Sequence, residues 1–244
     1  MTVLNRLLDL PDVAAALDSA RDAVDAVLGQ RSLRRTGGPL AAEVSLRCAH
    51  ASAALEGAEA DLAEVRAGTV TDPVVQGALR VAEALPGLAD TYGKAPGQAL
   101  ARLHLLAARG TVPDDQLGRP DLTASATARF GGLLGLIADP NPGPGLLHAA
   151  VVHAELLALA PFPGPNGVVA RAAARLTLIS RGVDPRALIA VDAGHLDRAP
   201  EYQGAANAYA AGTEDGVRSW LRHYAEAVRL GADRTAALEA ARTA

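Results

Sequence analysis

Runs of alanine and leucine with helical spacing fill most of the chain, and most of these runs are closed by a glycine or a proline. In the first such run, Val13, Leu17 and Val24 recur on one helical face before Gly29 ends the pattern. Alanine and leucine are strong helix formers. No run alternates apolar and polar residues as a half-buried strand would, and a short stretch near 187–191 is the only candidate strand. The sequence therefore predicts an all-α fold.

Length and composition fit one helical domain. A chain of 244 residues can bury a sizeable core, and half of its residues are hydrophobic although only 3% are aromatic. We therefore expect a core of closely packed alanine, leucine and valine side chains. The chain is divided into an N-terminal helix with a basic link over 1–38 and a main helical domain over 39–244, which together form one structural unit.

Charge and cysteine content exclude several classes of protein. The net charge is −4 with acidic and basic residues interspersed, so we expect no nucleic-acid and no membrane partner. Cys48 is the only cysteine, which excludes an intramolecular disulfide, and it is predicted to be a small core residue. Asp9 and Asp12 interrupt the stretch that would have to be apolar in a signal peptide. We expect a cytoplasmic protein, and a homodimer is left open.

The histidines do not form a recognisable metal motif. His148 and His153 are five residues apart, which places them more than about 100° apart around a helix, so they cannot bind one metal together. His50 and His223 are predicted to be surface residues or satisfied core residues. No metal site is predicted.

One short segment stands out between two apolar helical runs. The stretch "APFPGPNGVVAR", residues 160–171, contains three prolines and two glycines. Phe162 is predicted to anchor this segment in the core, and Asn166 with Gly167 to form a turn and the start of the next helix.

This segment resembles the signature of Fic proteins, His-Pro-Phe-x-Asp/Glu-Gly-Asn-Gly-Arg-x-x-Arg. Three other stretches resemble the family in the same order: "SAALEG" is similar to its Ser/Thr-x-x-x-Glu-Gly/Asn inhibitory motif, "ALARLHLLAARG" to the upstream helix with Leu-His, and "EYQGAANAYAAG" to the downstream helices. The resemblance covers about 49–228. It implies a Fic-like helical bundle, whose flap hairpin we expect to be reduced or absent because "RPDLTASATARF" shows no strand alternation.

The resemblance assigns specific residues of this chain to the two motifs. The inhibitory-type motif contributes Ser52, Glu56 and Gly57. The signature segment contributes Ala160, Pro161, Phe162, Gly164, Pro165, Asn166, Gly167, Val168 and Arg171.

Family members transfer a nucleotide monophosphate, most often AMP from ATP, to a protein hydroxyl, and the signature supplies the groups for this. Ala160 stands where the family has the histidine base, and alanine cannot accept a proton. Gly164 replaces the acidic magnesium ligand. Pro165 lacks the N–H of the family's glycine, and Val168 replaces a phosphate-binding arginine. The resemblance thus implies a degenerate site without catalytic residues.

No other residue is expected to supply the base. His153 precedes Ala160 by seven residues, about 10 Å along a helix, whereas a general base must lie about 3 Å from its proton. His195 could fold toward the site, but nothing in the sequence favours this.

Three hypotheses follow for the function. The first is a pseudoenzyme that acts as a binding or regulatory scaffold for an unknown protein partner or a small ligand, with no cofactor. The second is a divergent transferase that moves a nucleotidyl or other phosphate-containing group to a protein hydroxyl with non-standard residues, using ATP and magnesium. The third is a nucleotide-binding module, since a helix that begins near Asn166 would direct amides at an anion.

The resemblance also predicts one contact. In the family the inhibitory glutamate pairs with the second signature arginine and blocks productive ATP binding; these positions are Glu56 and Arg171 here. We expect an ion pair between them that joins the N-terminal helical region to the core. Its predicted role is structural, and the alternative is a live regulatory switch.

Overall fold

Helices make up the architecture of the chain. A computed structural model of the protein describes residues 3–141 and 143–243, and within these ranges it contains helices and no strand. Two short 3₁₀ helices span Val3–Asp9 and Asp114–Gln116. The α-helices are α1 (Val13–Leu28), α2 (Leu33–Leu55), α3 (Leu62–Ala67), α4 (Pro73–Lys94), α5 (Pro96–Ala108), α6 (Ala124–Ala138), α7 (Gly145–Leu159), α8 (Asn166–Ser180), α9 (Val191–Asp197), α10 (Ala199–Ala210) and α11 (Glu214–Thr243). The predicted all-α class is confirmed.

Local signals explain where several helices begin. The Asp72 carboxylate accepts hydrogen bonds from the backbone N–H groups of Val74 and Val75, and Pro73 occupies the first turn of α4. Asp61 caps α3 in the same way, and Thr123 caps α6. These short polar residues satisfy N–H groups that have no partner inside a helix.

The helical hairpin α7–α8 forms the centre of the molecule. Ten of the 15 residues of α7 and 12 of the 15 residues of α8 are buried, as expected for helices that pack against neighbours on several sides. Helices α4, α5 and α6 cover one side of the hairpin, whereas α1, α2, α9, α10 and α11 form a second apolar cluster on the other side. The turn between α7 and α8 is the signature segment, so its position is set by the most buried part of the fold.

Small residues allow the close crossing of α9 and α11. A Cβ atom at Gly194 would overlap the carbonyl oxygen of Ala227, and a Cβ at Gly231 would lie 2.7 Å from the carbonyl carbon of Ala190. Any side chain at either glycine would therefore push the two helices apart.

Two local predictions differ from the structure. Helix α2 begins at Leu33, inside the basic, glycine-ending stretch over 31–38 predicted to be a link, and it runs across the 38/39 division. Leu33 and Leu40 are both buried, so the helix packs from its first residue. The candidate strand at 187–191 is wrong: the Asp184 carboxylate accepts the backbone N–H groups of Leu188 and Ile189, which fixes a loop there.

Within the described ranges, no helix combines the length and the apolar character needed to cross a membrane.

Candidate functional site

The signature segment forms a tight turn that uses its own polar groups. Ala160 ends α7 in the left-handed conformation, with φ 42°. Asn166 begins α8 and folds back on the turn: its side-chain oxygen accepts the N–H of Phe162 at 3.0 Å, and its amide nitrogen donates to the carbonyl of Phe162. The predicted helix start at Asn166 is confirmed, and the same side chain ties the two ends of the turn together.

Phe162 anchors the turn in the core, as predicted. Its side chain is buried and stacks on the His104 ring with a centroid distance of 4.6 Å, while Phe130 packs edge-on at 6.3 Å. His104, from α5, is the histidine of the stretch that resembles the family's upstream helix.

His104 also holds the turn by two hydrogen bonds. The N–H of Gly118 donates to Nδ1 at 2.9 Å, so Nδ1 carries no proton and Nε2–H donates to the carbonyl of Pro163 at 2.7 Å. Burial lowers the pKa of His104, and the bond to Pro163 opposes this only in part. The imidazole is therefore neutral, with both ring nitrogens in use.

The segment between α5 and α6 lies directly over the turn. The N–H of Asp121 donates to the carbonyl of Pro161 at 2.9 Å. Gly164 has φ +83°, and a Cβ atom there would lie 2.9 Å from Val112 Cγ1. Arg109 and Val112 form an isolated bridge rather than a hairpin, which agrees with the expected loss of the flap. These contacts cover the turn with the segment between α5 and α6.

Arg171 is the polar centre of the site. It lies on α8 and is 1% exposed. Its Nε donates to Ser52 Oγ and its Nη2 to the Ser52 carbonyl, both at 2.8 Å, and Nη1 donates to the Tyr202 hydroxyl at 3.0 Å. Nη2 also donates to Glu56 Oε1 at 2.7 Å. The ion pair predicted between Glu56 and Arg171 is present.

The Glu56 carboxylate contacts both Arg171 and the first turn of α8. Helix α2 ends at Leu55 and Gly57 turns the chain with φ +88°, which leaves Glu56 at the helix end. A Cβ atom at Gly167 would overlap Glu56 Oε1, so the carboxylate lies against the first turn of α8. A negative charge is favourable at a helix N-terminus. The carboxylate thus places a negative charge against the N-terminal turn of α8.

A group of buried histidine, tyrosine and tryptophan rings lies beside this site, and the sequence did not predict it. The His153 Nε2 atom lies 3.0 Å from the Tyr202 hydroxyl, and His195 Nδ1 lies 3.0 Å from His223 Nε2. Trp220 packs against both pairs. The spacing of these residues along the chain carries no periodic signal, because α7, α9, α10 and α11 bring them together from separate segments. Described residues form no cluster with the donors for a metal ion.

A small cavity lies next to the ion pair. Its volume is about 250 Å³, and it is bounded by Glu56, Gly167 and Arg171 on one side and by Tyr202, Gln203 and Asn207 of α10 on the other. This volume is close to the lower end of small-molecule sites.

The architecture is similar to that of solved Fic proteins. No protein-family model and no curated protein matches the chain. A Fic family protein from Desulfovibrio desulfuricans G20 is similar with a TM-score of 0.73 and 19% identity, over 91% of this chain and 74% of that one. Two structures of Fic-1 from C. elegans are also similar, each at 18% identity over 92% of this chain. The structure of a Glu-to-Gly variant has a TM-score of 0.73 over 72% of that chain. The structure without this substitution has a TM-score of 0.69 over 71% of that chain. The chain has the Fic fold.

Proposed function

We propose that this protein is a Fic-fold scaffold that binds a protein partner or a small ligand and does not transfer AMP. The proposal rests on the absence of a general base in the turn. Ala160 stands at the position of the family's histidine, and the two histidines near the turn are held by hydrogen bonds to other groups. His104 uses both ring nitrogens to hold the turn, and His153 is fully buried against Tyr202. Neither can take a proton from a bound hydroxyl.

Magnesium and triphosphate do not fit the residues present. Residues 158–168 contain no carboxylate, and the carboxylate of Glu56 is already bonded to Arg171. Magnesium is held by oxygen ligands, usually one or two carboxylates together with phosphates. The turn therefore lacks the metal ligand as well as the base.

The features that support a binding role are the ones that remain intact. The turn, the ion pair and the cavity beside Tyr202 form a rigid surface in which Arg171 has four hydrogen bonds. A divergent transferase would need a base and a metal ligand from outside the signature segment. Nothing in the described site favours such a transferase, and AMP labelling of a Glu56→Gly variant distinguishes it from a scaffold.

Restoring the missing groups tests whether the turn is a vacated site. The variant combines Ala160→His, Gly164→Asp and Pro165→Gly with Val112→Ala, which removes the methyl that a Cβ at 164 would meet, and with Glu56→Gly, which clears the carboxylate. Val168 is left unchanged because it is 2% exposed and a buried guanidinium there would be costly.

We expect the restored variant to bind ATP in the presence of magnesium at least about tenfold more tightly than the parent, which corresponds to one charge-assisted contact. Isothermal titration calorimetry measures this, with a control variant that has only Val112→Ala and Glu56→Gly. If the folded restored variant binds ATP no better than this control, the turn is not a vacated nucleotide site.

A further inference from the structure

A second and larger cavity lies away from the signature segment. It has a volume of about 820 Å³ and is enclosed by α1, the start of α10 and the first half of α11. This volume falls within the range of about 300–1,000 Å³ that is typical of small-molecule sites. We call this cavity the α1–α11 groove.

Helix α11 places three arginines along the α1–α11 groove, and two of them, Arg218 and Arg222, keep donors for a ligand. Arg229 is satisfied by Glu226 at 2.8 Å and Asp233 at 2.7 Å. Arg218 donates from Nε to the Pro11 carbonyl and from Nη2 to Asp12, both at 2.9 Å, which leaves its Nη1 as a donor. Arg222 reaches the same Asp12 oxygen only at 3.9 Å, beyond hydrogen-bond distance, and it is 50% exposed.

The free guanidinium of Arg222 has neighbours suited to a phosphate group. Arg218 lies one turn away on the same face of α11, and the hydroxyls of Ser19 and Ser219 border the groove. No hydrogen bond to either serine side chain occurs among the described residues. Paired guanidinium groups bind phosphate oxygens through short, charge-assisted hydrogen bonds. Two arginines and two hydroxyls therefore offer donors to one anion.

The rest of the lining indicates what else the ligand carries. One oxygen of Glu201 accepts a hydrogen bond from Arg198 at 3.0 Å, which leaves its second oxygen and the Asp215 carboxylate as acceptors in the same groove. The apolar part of the lining is Ala16 and Ala225. His223 is its only ring, so the groove offers little surface for stacking a nucleobase. Acceptors of this kind suit the hydroxyl groups of a sugar or polyol.

We propose that the α1–α11 groove binds a phosphorylated sugar or polyol, with the phosphate at Arg222 and Arg218 and the hydroxyls at Glu201 and Asp215. This site is separate from the signature segment, and it does not depend on the function proposed for that segment.

Calorimetry with ribose 5-phosphate, free ribose and inorganic phosphate tests the proposal on the full chain. We expect saturable binding of ribose 5-phosphate that is at least about tenfold weaker in Arg222→Gln. Arg21→Gln is the matched control, because Arg21 is an exposed α1 arginine paired with Asp25 outside the groove. Glu201→Gln should weaken ribose 5-phosphate but leave inorganic phosphate unchanged.

Three results would overturn the proposal. The first is no saturable binding of ribose 5-phosphate to the wild-type protein. The second is equal affinity in wild type and Arg222→Gln, provided that both show the same melting temperature. The third is binding of inorganic phosphate as tight as that of ribose 5-phosphate, which would mean that the groove does not recognise the sugar.

Discussion

The protein is expected to lose its fold as the pH falls from about 6.5 toward about 5, near and below the ordinary histidine pKa. Five histidines are buried in the folded chain, and burial is the main cause that lowers the pKa of each one. The pKa falls to about 4 for His148 and for His223, and lies below its ordinary value for the other three. The five are His104, His148, His153, His195 and His223.

The direction of this pH dependence follows from which state of the chain, folded or unfolded, binds more protons. Below the ordinary histidine pKa the unfolded chain takes up protons, while the folded chain keeps these rings neutral until the pH reaches their lowered pKa values. The free energy of unfolding therefore falls with falling pH by up to about 1.4 kcal/mol per pH unit for each ring. Five rings give up to about 7 kcal/mol per pH unit, against a total stability of about 5–15 kcal/mol for a typical domain.

Two buried carboxyl groups act in the opposite direction. Burial raises the pKa of Asp184 and Asp192, so each gains a proton in the folded state before it would in the unfolded chain, and this favours folding as the pH falls. Five histidines outweigh two carboxyl groups over the range between pH 6.5 and 5, so the net slope remains destabilising toward acid.

Urea unfolding followed by circular dichroism at several pH values measures this slope. We expect His153→Gln to reduce the number of protons taken up on unfolding by close to one, because His153 is fully buried and its pKa lies well below the ordinary value. A stability that stays constant or rises between pH 7 and about 5 would contradict the neutral state of the buried rings.

Replacing Arg171 with methionine is expected to cost about 3–5 kcal/mol of unfolding free energy, the range for breaking a buried ion pair from one side. The change removes four hydrogen bonds at once and leaves the Ser52 carbonyl, the Tyr202 hydroxyl and the Glu56 carboxylate without their donor. Glu56→Gln should cost less, about 1 kcal/mol, because Glu56 is 21% exposed and water can replace part of the contact.

Chemical denaturation of both single variants and the double variant gives the coupling between the two side chains. Arg21→Met is the control, since an exposed pair such as Arg21–Asp25 contributes only about 0–1 kcal/mol. If Arg171→Met is no more destabilising than Arg21→Met, the pair does not join α2 to the core.

The sequence predicts the parts of the site that short motifs encode. Phe162 as a core anchor and Asn166 as a helix start depend on residues a few positions apart, where proline, glycine and asparagine have strong local preferences. The pair of Glu56 and Arg171 spans 115 positions and was predictable only because both motifs resemble one family.

The contacts that close the turn could not be predicted in the same way. His104 bonds to Pro163 across 59 positions and to Gly118 across 14, and Val112 covers Gly164 only because α5 packs against the α7–α8 hairpin. Such contacts depend on how helices are stacked, and helical periodicity shows only which face of a helix is buried.

The start of α2 could not be predicted from local sequence either. Arginine, threonine and paired glycines predict a link before Pro39, since glycine and proline disfavour helix interiors. The burial of Leu33 and Leu40 on either side of this stretch is a tertiary effect, and it extends the helix to Leu33.

AMP labelling of the Glu56→Gly variant tests whether the protein lacks AMP transfer. In the wild-type protein an absence of transfer could result from the carboxylate on Arg171 alone, whereas this variant removes that carboxylate and leaves the rest of the turn in place. We predict no magnesium-dependent incorporation of AMP from labelled ATP into the folded variant or into added protein, while an active Fic enzyme in the same buffer is labelled. Incorporation that appears in Glu56→Gly and is lost when Asn166→Ala is added would show that the turn is a working active site and would contradict the account.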